Sequence, residues 1–218
     1  MSALRNIGGE IKTLPTAIDG FEHINRYWDP RNKVFAAKLL PGEYYVSTQG
    51  EMITTVLGSC ISACIRDKVC GVGGMNHFML PDQVDSANKT WECTKANAAT
   101  RYGSYAMEHL VNDILKQGGR RENLEVKLFG GGHVLRISTN IGGNNAEFAE
   151  SYVRMEGLYL AAIDVEGDLP RKVNYYPRTG RVFVRKLTPM HNDTIVRREE
   201  TYMHSLEQAP AETEIDLF

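Results

Sequence analysis

A chain of 218 residues, 42% hydrophobic and 24% charged, has the composition of an ordinary globular protein that can bury one core without disulfide or metal staples. Its 25 basic and 27 acidic residues leave a formal charge of −2, which excludes a global field that would draw in nucleic acid. No apolar run reaches the roughly 18 residues of a membrane span and no charged-then-apolar leader is present, so a cytoplasmic protein without membrane insertion is expected.

Residues 1–33 read as an N-terminal arm. Asn6, Gly8, Gly9, Pro15 and Gly20 interrupt any period, but Phe21, Tyr27 and Trp28 are large enough to pack on a neighbouring surface. From Val34 the pattern changes. Residues 43–48 alternate like a strand, and 53–65 is rich in β-branched residues but broken at Gly58-Ser59-Cys60. A turn at Arg66-Asp67 precedes another extended stretch over 69–77. The spacing of Tyr105, Leu110, Val111, Ile114 and Leu115 predicts a helix over 97–116, ended by Gly118-Gly119. A strand over 124–129 runs into Gly130-Gly131-Gly132. A second helix is predicted over 146–156, then a strand over 158–165 and a hairpin from 172–176 to 181–186, turning at Gly180. Residues 188–218 read as a flexible C-terminal extension, linker-like from about 205 to 213 and ending in the acidic peptide Glu214-Ile-Asp-Leu-Phe218. The outline is α+β, an α/β sandwich of mixed sheets with covering helices, as one domain over 34–187.

The chemistry centres on the cysteines. Cys60, Cys64, Cys70 and Cys93 lie within 34 positions without a repeated CxxC pair, which argues against zinc, and a cytoplasmic chain of this size has no need of disulfides. Cys64 and Cys70 sit among apolar neighbours and read as core residues; Cys93 lies in a polar stretch. Cys60 differs, because the turn that breaks its apolar run can present a thiol and aim backbone N–H groups at one point. His77, seventeen residues on, closes a glycine-rich segment and suits an adjacent strand. By spacing alone the two could equally be unrelated packed residues.

The strings Thr55-Val-Leu-Gly-Ser-Cys60, Gly73-Gly-Met-Asn-His-Phe-Met-Leu-Pro81, Arg101-Tyr-Gly-Ser-Tyr-Ala-Met107 and Lys127-Leu-Phe-Gly-Gly131, with the hairpin at Thr179-Gly180, resemble in order the hallmark segments of the CheD family of chemoreceptor glutamine deamidases. The resemblance covers roughly 34–187, and the arm around Phe21 to Pro30 is similar to that of longer proteobacterial members. It implies a protein-glutamine deamidase acting on methyl-accepting chemotaxis receptors, with other chemotaxis signalling proteins as further partners and no cofactor or metal. It puts the nucleophile on Cys60, the base on His77 and a supporting threonine on Thr54, next to Thr55. A thiol so paired is expected to have a depressed pKa and to alkylate before Cys64 and Cys70. Ser59 reads as a turn residue or polar contact. The segment Asp164 to Arg171 departs from the family pattern, being more acidic and carrying Pro170. Two rivals stay open at this point: a non-catalytic chemotaxis adaptor, and a cysteine hydrolase acting on receptor methyl esters.

Overall fold

The structure is a computed structural model and describes residues 5–7, 10–81, 98–135, 140–188 and 192–208. Cys93 and the tail beyond residue 208 lie outside the described residues. Two short strands, β1 (Arg5–Ile7) and β2 (Glu10–Lys12), pair with each other. They are followed by β3 (Asn25–Asp29), β4 (Val34–Lys38), β5 (Tyr44–Ser47), β6 (Met52–Leu57), β7 (Ile61–Asp67) and β8 (Gly73–Asn76). Helix α1 (Ala98–Lys116), β9 (Leu124–Gly130), α2 (Ile141–Met155), β10 (Tyr159–Val165), β11 (Arg171–Tyr176), β12 (Arg181–Lys186) and α3 (Asn192–Gln208) complete the order.

The strands form two mixed five-stranded sheets, β12-β11-β6-β4-β3 and β10-β9-β7-β8-β5. Strand β11 shows why the first sheet has an inside: Arg171, Val173 and Tyr175 are buried, and the residues between them are less so, the period-2 signature of a half-buried strand. β7 is buried along nearly its whole length because it is covered twice. One face looks toward the first sheet, and α1 and α2 lie over the other, α1 on β5, β7 and β8 and α2 on β7, β9 and β10. Ile53, Leu57 and Val173 of the first sheet, Ile61 and Val126 of the second, Leu110 of α1 and Phe148 of α2 join one continuous core. The layers are sheet, sheet and helices, a single α+β domain as the sequence led one to expect.

The arm enters this core directly. Phe21 and Ile24 are buried, with the Phe21 ring edge-on to Tyr44 and Tyr45, and β3 extends the first sheet beside β4. Two expectations need correction. Helix α2 starts at Ile141, capped by the Asn140 side chain on the Gly143 N–H, rather than at 146. Gly142 and Gly143 are there for close approach, not to break the helix: a Cβ on Gly142 would stand 2.3 Å from the Gly132 carbonyl oxygen. The extension predicted to be flexible instead carries α3, which buries Ile195, Glu199 and Met203 at helical spacing.

Candidate active site

β6 and β7 are consecutive in sequence but belong to different sheets, so the chain must cross from one layer to the other between Leu57 and Ile61. That crossing is Gly58-Ser59-Cys60, and every one of these residues is buried. The glycine loop after β9 supports it from behind. Gly131 N–H donates to the Cys60 carbonyl at 2.7 Å and Gly132 N–H to the Gly58 carbonyl at 2.8 Å. Gly130 has φ +115°, and a Cβ there would lie 2.2 Å from the Cys60 carbonyl oxygen, so only glycine fits. The buried Arg171 braces the same loop, donating to the carbonyls of Gly130, Asp164 and Glu166; it closes the segment whose sequence departs from the family pattern. Asn145 of α2 donates to the Ser59 carbonyl at 2.8 Å and accepts from Leu80 N–H, tying the turn to the chain just past His77. Ser59 is a structural contact, its hydroxyl accepting from Leu135 N–H.

His77 follows β8, and a bridge between Ile61 and Phe78 locks it beside Cys60. Asn76 adds register, accepting from Ala63 N–H and donating to the Ala106 carbonyl of α1. The imidazole is held from the other sheet by Thr55, whose Oγ1 lies 2.8 Å from Nδ1 and 2.9 Å from the Leu39 carbonyl oxygen. The carbonyl can only accept, so the hydroxyl hydrogen goes to Leu39 and Nδ1 must donate its own hydrogen to Thr55. This assigns the tautomer. Nε2 is left as the lone-pair nitrogen, and it is buried without a hydrogen-bond partner among the described residues.

The threonine expected here was Thr54, and the structure corrects it. Thr54 and Asn174 are cross-strand neighbours and so share one face of the first sheet, as Thr55 and Val173 share the other. Thr54 donates to the Asn174 side chain at 2.7 Å, and the face of buried Val173 carries Thr55 to the imidazole. One residue of register decides between them.

The electrostatics also depart from expectation. Cys60 is 0% exposed, and burial, followed by the nearby Glu199 charge, pushes its thiol well above the usual range instead of depressing it. Burial, with Arg198 adding positive potential, lowers His77 to about 3. Both groups are therefore neutral in this arrangement. Cys64 is in the core as expected, but Cys70 is exposed on the turn after β7, where Asp67 accepts from its N–H.

Sequence reasoning missed Glu199. From α3 its carboxylate accepts backbone hydrogen bonds from Gly58 (2.8 Å), Ser59 (2.7 Å) and Cys60 (3.2 Å), and it is 1% exposed. Gly58 has no left-handed φ; its lack of a side chain is what admits this group, since a Cβ would stand 2.6 Å from Oε2. The thiol of Cys60, a ring nitrogen of His77 and a carboxylate oxygen of Glu199 all lie within 4.8 Å of one another. Cys, His and Glu are also a donor set that could hold a cation. Here both carboxylate oxygens already accept from the turn, so the group is bound as an anion in a nest of N–H donors. Tyr202 of α3 closes the cover, with its hydroxyl bonded to that of Tyr102 on α1 and its ring against Gly42.

A thiol, a histidine with a free lone pair and convergent N–H groups are the parts of a cysteine acyl-transfer centre. The family described as CheD chemotactic sensory transduction matches residues 79–186, a span that begins just after His77. A protein of Halorhodospira halophila named probable chemoreceptor glutamine deamidase CheD is 55% identical over 218 residues, covering 100% of this chain and 99% of its own. Proteins of the same name from Methylobacillus flagellatus (52% identical, 89% of this chain and 95% of theirs) and Hahella chejuensis (47%, 94% and 95%) align almost as fully. With identity of this level over all or nearly all of the chain, the protein belongs to the CheD family.

Proposed function

We propose that the protein is a cytoplasmic protein-glutamine deamidase that converts glutamine side chains of methyl-accepting chemotaxis receptors to glutamate and ammonia. The observation that carries this reading is the convergence of Cys60, His77 and the N–H groups of the 58–60 turn at one buried point. The names of the relatives, chemoreceptor glutamine deamidases, supply the substrate. No described helix is long and apolar enough to cross a membrane.

Nε2 of His77 takes the Cys60 proton, and the thiolate attacks the carboxamide carbon, forming the C–S bond. The carbonyl oxygen becomes an oxyanion held by the N–H groups of Gly58, Ser59 and Cys60. As it collapses, the C–N bond breaks and the imidazolium proton leaves with ammonia. Water deprotonated by the same histidine then hydrolyses the thioester, and the glutamate product and free thiol are released. Thr55 keeps Nδ1 protonated and the ring aimed, so that Nε2 remains the base.

Mass spectrometry of receptor peptides after incubation tests this. Wild type should add about 1 Da per converted glutamine, the exchange of amide for acid, while Cys60→Ala and His77→Ala should each add nothing and still unfold cooperatively. Conversion by either variant refutes the roles. Methanol release in place of ammonia would make the protein an esterase.

A further inference from the structure

Helix α3 is amphipathic, yet the centre of its buried face is a charge. Ile195, Glu199 and Met203 follow one another at four-residue spacing, and the middle one is a carboxylate. Burying a carboxylate is costly, and an apolar residue would cover the site without that cost. What offsets the burial is the set of three N–H donors from the nucleophile turn, the groups that the deamidation would use on its oxyanion. A glutamate side chain is also what deamidation of a glutamine produces. Cys60 meanwhile has no exposed surface, so no substrate reaches the sulfur while α3 is in place.

We infer that α3 is a tethered product analogue: Glu199 occupies the position of the glutamate formed from a substrate glutamine, and the groove under α3 is the surface on which the substrate segment docks. The inference rests on the deamidase reading. It makes the described arrangement a self-closed state, and a substrate must displace a competitor that is always present at high local concentration. The seat under α3 specifies its visitor, namely a helix presenting glutamine with apolar residues four positions to either side, as Ile195 and Met203 flank Glu199. Tyr202 would be released with the helix, opening its contacts to Tyr102 and Gly42.

The full-length protein tests this in two ways. In Glu199→Gln, the helix presents an amide to the site, so Cys60 should attack the carboxamide carbon of the new side chain, expel ammonia and yield glutamate after hydrolysis by water. The peptide containing residue 199 should then gain about 1 Da, and the double variant Glu199→Gln/Cys60→Ala should keep its amide. Independently of any substrate, iodoacetamide should alkylate Cys60 at least about tenfold faster in Glu199→Ala than in wild type, because the covered fraction falls. If Glu199→Gln deamidates receptor peptides yet keeps the amide at its own position 199, the inference alone is overturned. So it is by an unchanged alkylation rate in Glu199→Ala. Faster alkylation, with no deamidation either at position 199 of Glu199→Gln or of receptor peptides, overturns the deamidase reading beneath it.

Discussion

Replacing Thr55 by valine keeps the shape of the side chain and removes only its hydroxyl, which makes it the sharpest probe of how His77 is held. Two buried partners lose their hydrogen bond, the Leu39 carbonyl and Nδ1–H of His77. A buried group left unsatisfied costs about 1–3 kcal/mol, so unfolding free energy should fall by roughly 2 kcal/mol or more. The effect on rate comes from orientation and tautomer. With Nδ1 unanchored, the neutral ring can turn or carry its proton on Nε2, and a barrier higher by about 1.4–2.7 kcal/mol lowers kcat roughly ten- to a hundredfold. KM should change little, because Thr55 lies behind the imidazole. Thr54→Val is the control: it loses one bond to Asn174 on the far face of the sheet and should leave kcat within about twofold of wild type. Ammonia release from a receptor substrate, with kcat and KM resolved separately, measures all three proteins. A larger loss of kcat in Thr54→Val than in Thr55→Val would refute the assignment.

Gly130→Ala should be among the most damaging single changes outside the reacting groups, since φ is +115° and the new Cβ would meet the Cys60 carbonyl at 2.2 Å. A loss of about 3 kcal/mol would lower the melting midpoint by roughly 6–12 °C, whereas Gly118→Ala, equally left-handed but in open space, should cost about 1 kcal/mol. Arg26 ties the arm to the domain through a buried ion pair with Glu51 at 2.7 Å, so Glu51→Leu, which leaves the guanidinium unpaired, should destabilise by about 3–5 kcal/mol in a denaturant titration. The pH dependence of stability carries the signature of His77, whose imidazole protonates near its ordinary 6.5 when unfolded but only near 3 when folded. Its stabilising contribution is complete above pH 6.5 and is lost as pH falls toward 3, with a slope of up to about 1.4 kcal/mol per pH unit; His77→Gln should flatten this part of the curve.

Patterns with short range were legible in the sequence. The hairpin at Gly180, helix α1 and the break at Gly58-Ser59-Cys60 follow from local periodicity and turn chemistry, and the family strings carried the Cys60–His77 pairing that spacing left open. What could not be read was set by contacts far apart in the chain. The choice between Thr54 and Thr55 depends on which face of β6 looks inward, and that is decided by pairing with β11, some 120 residues away. The glycines at 142 and 143 look like helix breakers until the backbone of Gly131 and Gly132 is seen against the first and the capping Asn140 side chain against the second. The α3 segment hides its nature for another reason. A glutamate where the apolar face should continue lowers the signal of amphipathicity, and its partners are backbone groups about 140 residues upstream. Cys70 misled because apolar neighbours in sequence sit on a turn that Asp67 holds at the surface.

The same carboxylate links the fold to its chemistry. Deep burial alone raises a thiol and lowers an imidazole, and the negative charge of Glu199 raises the thiol further. A closed site therefore stores Cys60 and His77 as a neutral pair with the base already in its lone-pair tautomer. Removing α3 changes both conditions together: the like charge leaves and water gains entry, and both favour the thiolate. The N–H groups of the turn need no rearrangement, because the Gly130 loop and Asn145 hold them in place from the protein side. Opening thus changes the protonation preference of the dyad without changing the geometry that must receive the oxyanion, which is the condition for a preorganised site to be kept silent and yet remain ready.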